Sequence, residues 1–344
     1  MDETTDSCGR SVLNILFSYS KTKLVNTIFL ERVNHTTIAQ FFVNTITLYN
    51  ISFNNLIFYI SDNAAYMKKA YTVVLFPLIP NLFHNICLAH SYNLIGETWI
   101  DYENFKLLDT VVKNIKASFV YSVARKRRWR EHLALNSISL DNFSFDLEGN
   151  AQDISITLPP LPVKTRWNSW LMLDLEFFKI RNSAIAPFVA SRIDQTGAFL
   201  RNGTNNPPFS IEMSQLLSHN NYQTNDFFIP IFSEAFKLAL AKFEKHTNNH
   251  SALPLFRAIQ CFNPQFIQSS TNHHNLNNYN LITEFQNPSN EIISEWAIYC
   301  GLSEVFEEGS LDLNQYWQGK KGNFPNLSKI AFIYIWLPIS GVEL

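Results

Sequence analysis

The stretch Asn55-Leu-Ile-Phe-Tyr-Ile-Ser-Asp-Asn-Ala-Ala65 predicts a strand, a polar stop and the beginning of a helix. Its apolar run is short and contains aromatic and β-branched residues, which favours a strand. The small residues that follow Asp62 suit the first turn of a helix. A strand that leads directly into a helix can pair in parallel with another strand, which is typical of α/β proteins.

The sequence before this stretch predicts a hairpin and a helix. Residues 11–19 and 23–31 are strand-like and are separated by a gap of hairpin size. Residues 34–49 carry apolar side chains at helical spacing, with Asn34 or Thr36 as the N-cap. A hairpin, a helix and a further strand in this order predict the α/β fold class.

The composition excludes several classes of protein. Of 344 residues, 46% are hydrophobic and 16% charged, which excludes a disordered chain. The formal net charge of −2 provides no general basic surplus, so binding to nucleic acid requires a local patch. No apolar run approaches the roughly 18 residues of a membrane span, and we expect no membrane association. The acidic N-terminus is no signal peptide.

Cysteine usage predicts a reduced, intracellular chain. Cys8, Cys87, Cys261 and Cys300 stand far apart without a CxxC motif. This spacing favours neither a disulfide framework nor a zinc ribbon.

The remainder of the chain has mostly helical patterns. We predict helices over residues 105–135, 167–189, 231–246, 290–301 and 325–337. We predict a linker or long loop over 140–163, a surface loop over 196–228, and a mobile segment, rich in Asn and His, over 268–290.

Asp2 and Asp62 are the clearest candidates for a chemical site. Each lies at a candidate strand position, and two carboxylates on neighbouring strands can bind Mg²⁺ or Mn²⁺. The alternative is that Asp62 only caps the next helix, because Asp is a preferred cap, and that Asp2 is a frayed terminal residue.

The segment Cys87-Leu-Ala-His90 is a second candidate. A metal site there needs further ligands, and none stands nearby in the sequence. A packed cysteine and a hydrogen-bonded histidine are therefore favoured over zinc. We expect His84 to point elsewhere.

Two basic segments could contact nucleic acid. Arg166 and Trp167 lie in Lys164-Thr-Arg-Trp-Asn-Ser-Trp170, where Arg can contact phosphate and Trp can stack on a base, or both can pack at a helix start. Arg125, Lys126, Arg127 and Arg128 end a predicted helix. They suit either a DNA-backbone or nuclear-import patch or a solvated helix end.

Five blocks, taken in order, resemble hobo/Activator-type (hAT) DNA transposases and their transposon-derived relatives. The blocks are Asp2-Glu-Thr-Thr-Asp6, Ser61-Asp-Asn-Ala-Ala-Tyr-Met67, Cys87-Leu-Ala-His90 with Asn93-Leu94, Thr165-Arg-Trp-Asn-Ser169, and a C-terminal set. The C-terminal set comprises Tyr316-Trp317, Phe324-Pro-Asn-Leu-Ser-Lys-Ile-Ala331 and Leu337-Pro-Ile-Ser340. Together they span nearly the whole chain.

The resemblance implies an RNase H-like core, a mixed sheet with flanking helices, interrupted by a large α-helical insertion. It implies core residues 1–100, an insertion over 101–305 and a dimerisation region over 306–344 that returns to the core. It further implies that three carboxylates bind two Mg²⁺ or Mn²⁺ ions for DNA strand cleavage and transfer. Asp2 and Asp62 would be the first two ligands, and His90, Arg166 and Trp167 would lie near the DNA.

The chain departs from the family pattern at both ends. Glu343 falls two residues earlier than the third carboxylate should, only Met1 precedes Asp2, and the usual zinc-finger domain is absent. We therefore expect a truncated or degenerate member that is inactive as a transposase. By resemblance, its partners are transposon-end DNA and further copies of itself, and its location is the nucleus.

The alternative function is a non-catalytic, dimerising or DNA-associated protein domesticated from a transposon. The candidate dimerisation residues are Trp317, Phe324, Pro325, Leu327 and Ile330. This apolar strip is compatible with an interface, and equally with packing on the core of its own chain.

Overall fold

The computed structural model describes residues 1–19, 21–107, 186–208, 228–306 and 311–339, with scattered positions between 110 and 128. The chain begins with an antiparallel sheet in the order β1 (Asp2–Thr5), β2 (Ser11–Tyr19) and β3 (Lys21–Leu30). The predicted hairpin of β2 and β3 is confirmed, and its register shifts between Ile15 and Leu16.

A tight turn connects β1 to β2. The Asp6 carboxylate accepts hydrogen bonds from the backbone N–H groups of Cys8 and Arg10, each at 2.8 Å. Gly9 adopts a φ of 76°, which glycine reaches without the clash that a Cβ would cause. The turn brings Asp2 opposite Asn14 on β2.

Helix α1 (His35–Leu48) covers the sheet as the sequence predicts. The Asn34 side chain accepts from the N–H of Thr37 at 3.0 Å and so caps the helix. Ile38, Phe42 and Ile46 recur at four-residue spacing and are buried, because that spacing aligns them on one face.

A parallel pair of strands follows, and it confirms the α/β class in its coarse form. It consists of β4 (Phe58–Ser61) and β5 (Phe83–Ile86), with Tyr59 opposite His84. Between them lie α2 (Ala65–Ala70), a π-helical turn (Tyr71–Leu75) and the short α3 (Phe76–Leu78). Helix α4 (Leu88–Ile100) follows β5.

The later part of the chain is helical. Among the described residues, the helices are α5 (Val189–Gly203), α6 (Phe228–Thr247), α7 (Leu253–Ile259), α8 (Pro264–Gln268), α9 (Thr283–Gln286), α10 (Asn290–Cys300), α11 (Leu313–Lys320) and α12 (Pro325–Tyr334). The predicted helices at 231–246, 290–301 and 325–337 are confirmed to within a few residues. Within the described ranges, no helix is long and apolar enough to cross a membrane.

Two apolar clusters lie on either side of β4 and β5. Tyr59 belongs to the cluster formed by the first sheet and α1, whereas its neighbour Phe58 packs against the cluster of the helical part. Successive side chains of a strand point to opposite faces, which explains this division. The helical cluster includes Ile95 of α4, Phe256 of α7 and Leu327 of α12, so helices on both sides of the predicted boundary at 306 share one core.

The predicted surface loop over 196–228 is wrong in its first part, because α5 continues to Gly203. Glycine in this stretch marks close helix packing rather than a loop. A Cβ on Gly197 would lie 3.0 Å from the Phe243 ring, and a Cβ on Gly203 would lie 2.3 Å from the Phe236 ring. Both phenylalanines belong to α6, so small residues let the two helices approach.

Residues 268–290, which the sequence predicts to be mobile, contain short helices in the structure. Side chains of Ser270 and Asn275 accept hydrogen bonds from backbone N–H groups two residues further on and cap short 3₁₀-helices. Tyr279, Ile282 and Phe285 anchor the segment in the helical core. The polar residues are therefore caps, which local composition alone does not distinguish from a mobile loop.

Gly203→Ala is expected to lower the free energy of unfolding by about 1–3 kcal/mol, because the new methyl group overpacks the contact with Phe236. Gly319→Ala is the matched control. Its Cβ would meet nothing within 4 Å, and alanine favours helix by about 0.5–1 kcal/mol. Chemical denaturation should give opposite signs for the two variants. Equal effects would contradict the close packing of α5 on α6.

Candidate carboxylate site

Asp2 and Asp62 come together although 60 residues separate them in the sequence. The amino group of Met1 donates to the carbonyl oxygen of Ile60 at 2.7 Å, so β1 begins beside β4. Asp2 opens β1, and Asp62 directly follows β4. The two strands therefore deliver their carboxylates to the same end of the fold.

The pKa of the Asp2 carboxyl is affected by the charge of Asp62. Burial raises the pKa of the Asp2 carboxyl most strongly, and the negative charges of Asp62 and Glu3 raise it further. The Met1 ammonium group and His90 act in the opposite direction. The net pKa of Asp2 lies above its usual value, chiefly because the carboxyl is buried and also because of the nearby charge of Asp62.

Asp62 is held at the point where the chain leaves β4. Its Oδ1 atom accepts a hydrogen bond from the N–H of Ala64 at 3.1 Å, just before α2. The hydroxyl of Ser61 donates to the carbonyl oxygen of Asp62 at 2.9 Å. Asp62 thus has a structural role just before α2, but it does not cap that helix as the alternative interpretation expects, since the N-cap residue is Ala64, which has no side-chain cap.

Cys87 and His90 have different surroundings. The Cys87 thiol is buried with Ile60 and Ala89 in a small apolar cluster, as the packed-cysteine interpretation expects. His90 is half-buried on α4, and its charge acts on both Asp2 and His246. Within the described ranges, no group of three His, Cys, Asp or Glu side chains is arranged to hold a metal ion.

A second polar layer, absent from the sequence predictions, surrounds the carboxylates. Asn63 follows Asp62, and its Nδ2 lies 3.4 Å from Nδ1 of His246 on α6, 183 residues away. His250 contacts the carbonyl oxygen of Ile86 through Nε2 at 2.8 Å. No local pattern predicts His246 or His250, because only the packing of α6 against α4 and α5 brings this part of the chain to this end.

Unpartnered buried polar atoms concentrate in this layer. Among the described residues, seven buried side-chain atoms lack a hydrogen-bond partner, and four of them belong to Asn63, Asn85, His246 and His250. Buried polar atoms without partners are costly, so proteins tolerate them where a ligand, an ion or water completes the site. Their concentration here favours a functional site.

The histidines of this layer are electrically neutral at pH 7. Burial is the main cause that lowers the pKa of His84 to about 4, and repulsion from Lys68, and from His250 when that ring is protonated, acts in the same direction. Burial also lowers the pKa values of His246 and His250. Nε2 of His84 lies 2.9 Å from the hydroxyl of Ser61, the residue that precedes Asp62.

The C-terminal part of the described chain reaches the end of β5. The Asn85 side chain donates to the carbonyl oxygen of Pro338 at 3.1 Å, and the N–H of Leu88 donates to that of Ile339 at 3.3 Å. Residues after α12 therefore lie beside the beginning of α4, close to the carboxylate pair. Glu343 lies outside the described residues.

Most of the candidate dimerisation residues are buried in the core of their own chain. Trp317, Phe324, Leu327 and Ile330 all belong to the helical cluster, whereas Pro325 is exposed. Of the two interpretations of this strip, packing on its own core is the one observed within the chain. Self-association remains a prediction.

The basic segments are described only in part. Arg125, Arg127 and Arg128 are exposed. Lys126, Arg166 and Trp167 lie outside the described residues, so their predicted contact with DNA stays a prediction.

A cleft of about 770 Å³ lies between α5 and the end of α6, next to this layer. Arg201 pairs with Glu244 at 3.2 Å and Arg257 with Asp194 at 3.5 Å along its walls. His250 also lines the cleft, but Asp2 and Asp62 do not. The carboxylate site is therefore distinct from the cleft.

Comparison with known proteins gives no assignment. Neither a scan against protein-family models nor a search of curated proteins finds a match for this chain. The functional interpretation therefore depends on the site itself and on the sequence resemblance.

Proposed function

We propose that this chain derives from a hAT-type DNA transposase, whose ancestral activity is two-metal DNA strand cleavage and transfer. The observation that carries the proposal is the convergence of Asp2 and Asp62 at one end of the fold. Both residues belong to sequence blocks that resemble the catalytic blocks of the family. A purely structural role for Asp62 does not require Asp2 beside it.

The arrangement of the strands supports the proposal. An antiparallel group β1–β3 lies beside the parallel pair β4–β5 through the contact of Met1 with Ile60. Helices α1 and α4 flank these strands, and a helical part follows α4. The two sheets are separate within the described residues, and their adjacency is compatible with the mixed sheet expected of an RNase H-like core with an insertion.

The donor set of the site suits Mg²⁺ or Mn²⁺. Asp2 and Asp62 supply carboxylate oxygens, which these ions prefer, and the unpartnered Oδ1 of Asn63 is a further oxygen nearby. The repulsion that raises the pKa of Asp2 would be relieved by a cation between the acids. The chemistry that bound Mg²⁺ or Mn²⁺ supplies in such sites is charge neutralisation at phosphate and activation of the attacking oxygen.

The proposed partner is DNA, held through its phosphates. The exposed Arg125, Arg127 and Arg128 supply the charge for such contacts, which are sequence-independent and weaken with salt. His90 and the neutral His246 would contact the backbone near the carboxylates. We also propose that the chain is located in the nucleus and that it associates with further copies of itself.

We further propose that this chain does not catalyse strand transfer. Within the described residues, the proposed site has two carboxylates, where the family resemblance implies three. Purified chain, incubated with Mn²⁺ and a DNA substrate that carries transposon-like ends, should give no joined products. Strand transfer that Asp62→Asn abolishes would overturn this part of the proposal.

Asp62→Asn and Asp2→Asn are expected to weaken Mn²⁺ binding by at least about tenfold, because each removes half of the anionic donor set. Electron paramagnetic resonance measures free Mn²⁺ directly in a titration of the full chain. Asp101→Asn is the matched control, since this exposed aspartate ends α4 away from the pair. The proposal fails if the wild-type chain binds no Mn²⁺, or if all four proteins bind it equally.

A further inference from the structure

A buried serine and a buried histidine lie directly behind Asp62. Ser61, at the end of β4, is 1% exposed, and His84 of β5 is 5% exposed. Nε2 of His84 lies 2.9 Å from the Ser61 hydroxyl, which in turn lies 2.9 Å from the carbonyl oxygen of Asp62. The two side chains thus form a chain of hydrogen bonds that ends on the backbone of Asp62.

The chemistry of the three groups limits the direction of these bonds. The Asp62 carbonyl oxygen can only accept, so its hydrogen bond with Ser61 uses the single hydroxyl proton of the serine. With that proton used, the serine oxygen accepts from Nε2 of His84, which requires the tautomer protonated on Nε2. Every donor in the series has an acceptor, and the order runs from His84 through Ser61 to Asp62.

His84 is itself held from several sides. Its ring packs against those of Tyr59 and Tyr71, with centroids 5.2 and 4.9 Å apart. The Ser251 hydroxyl donates to its backbone carbonyl oxygen. Neighbouring backbone is fixed too, because the N–H of Cys87 donates to the carbonyl oxygen of Ser61 at 2.8 Å.

This polar pair stands on a face that is otherwise apolar. Around it, the first core cluster contains side chains such as Tyr59, Met67 and Leu75. Burying a hydroxyl and an imidazole costs free energy that a pair of β-branched apolar residues would not. The hydrogen bond of Ser61 to the Asp62 backbone, and that of His84 to Ser61, provide a reason for polar residues at these positions.

We propose that Ser61 and His84 are positioning residues that orient the carboxylate of Asp62. The hydrogen bond to the Asp62 carbonyl fixes the peptide plane between Asp62 and Asn63. The next peptide, which carries the N–H of Ala64, is placed by this plane together with the backbone dihedral angles of Asn63, and that N–H binds Oδ1 of Asp62. The carboxylate direction is therefore set by the sheet beneath it, and not by α2 alone.

Two matched pairs of variants test the proposal. Ser61→Thr keeps the hydroxyl. Ser61→Val introduces a side chain of the same shape as threonine but without the hydroxyl. His84→Gln keeps an N–H donor near the position of Nε2, whereas His84→Met removes it. Comparison within each pair separates the hydrogen bond from the effect of a changed volume, which both members share.

Hydrogen exchange of the peptide covering residues 60–66 reports the position of Asp62 without any metal. Loss of one buried hydrogen bond should speed exchange there by about 3- to 10-fold in Ser61→Val and His84→Met. Ser61→Thr and His84→Gln should stay near wild type. Equal exchange rates within each pair overturn the proposal. If either serine variant fails to fold, the comparison of His84→Gln with His84→Met decides.

Mn²⁺ affinity gives a second readout, which rests on the proposed function. Loss of a group that orients a ligand typically weakens metal binding by about tenfold, so Ser61→Val should bind more weakly than Ser61→Thr. If wild type binds no Mn²⁺ while hydrogen exchange differs within each pair, the proposed metal site fails and the positioning role stands. If binding and exchange are equal within each pair, the positioning role fails, whatever the wild-type affinity.

Discussion

Trp317→Ala should lower the free energy of unfolding by about 3–5 kcal/mol, the cost of emptying the space of a buried aromatic ring. Trp317 is fully buried, and its ring centroid lies 5.2 Å from that of Tyr299 and 6.0 Å from that of Phe262. Its indole N–H donates to the carbonyl oxygen of Phe262 at 2.9 Å. The variant therefore creates a cavity and leaves a buried carbonyl without its donor.

This variant also separates a core role from an interface role. Denaturation should be measured at two protein concentrations, together with the molar mass by light scattering. If Trp317 serves its own chain, the loss of stability is the same at both concentrations. Dissociation of a dimer without loss of monomer stability would contradict the core role. Trp317→Phe, which keeps a ring but not the N–H, should lie between wild type and alanine, and Leu48→Ala, which is exposed, should change little.

Glu295→Ala should cost about 3 kcal/mol, because it uncovers the beginning of α12 inside the protein. The Glu295 carboxylate is buried and accepts from the N–H of Leu327 at 2.7 Å. It also accepts from the N–H of Asn326 at 3.0 Å and from its side-chain amide at 2.8 Å. These donors would have no partner in the alanine variant, and the negative charge that favours the helix N-terminus would be lost.

Urea denaturation of the full chain checks this prediction. Glu295→Gln keeps one acceptor oxygen and should lose about half as much as alanine. Glu234→Ala is the control, since its exposed pair with Lys237 at 3.5 Å contributes less than about 1 kcal/mol. An unchanged midpoint for Glu295→Ala would show that other contacts hold α12. Since Pro338 and Ile339 follow α12 to the end of β5, loss of this cap should also increase hydrogen exchange in residues 85–88.

Local patterns identified several elements of the first part of the fold. The hairpin of β2 and β3, helix α1 with Asn34 as one of two candidate caps, and the strand before Asp62 all follow from alternation, helical spacing and residue preference. These signals are reliable because each element buries one face, and the buried face imposes its period on the sequence. The same patterns located several helices of the later part.

The errors have a common cause. Gly197 and Gly203 resemble loop residues in the sequence, yet they lie in α5 where Phe243 and Phe236 approach. Ser270 and Asn275 resemble residues of a mobile segment, yet their side chains cap short 3₁₀-helices. Buried apolar residues of the same segment pack in the helical core. Composition records which residue is present, but not whether close packing or an exposed turn selects it.

The sequence by itself determined the α/β class, the identity of the two candidate carboxylates and the resemblance on which the proposed function rests. Only the tertiary structure decided that β1 begins beside β4, that His246 and His250 reach the same end, and that Trp317 faces its own core. The physical reason is distance along the chain. Periodicity reports how a residue relates to its near neighbours, whereas the contacts of Met1 with Ile60 and of Asn63 with His246 join segments that only the packing of distant elements brings together.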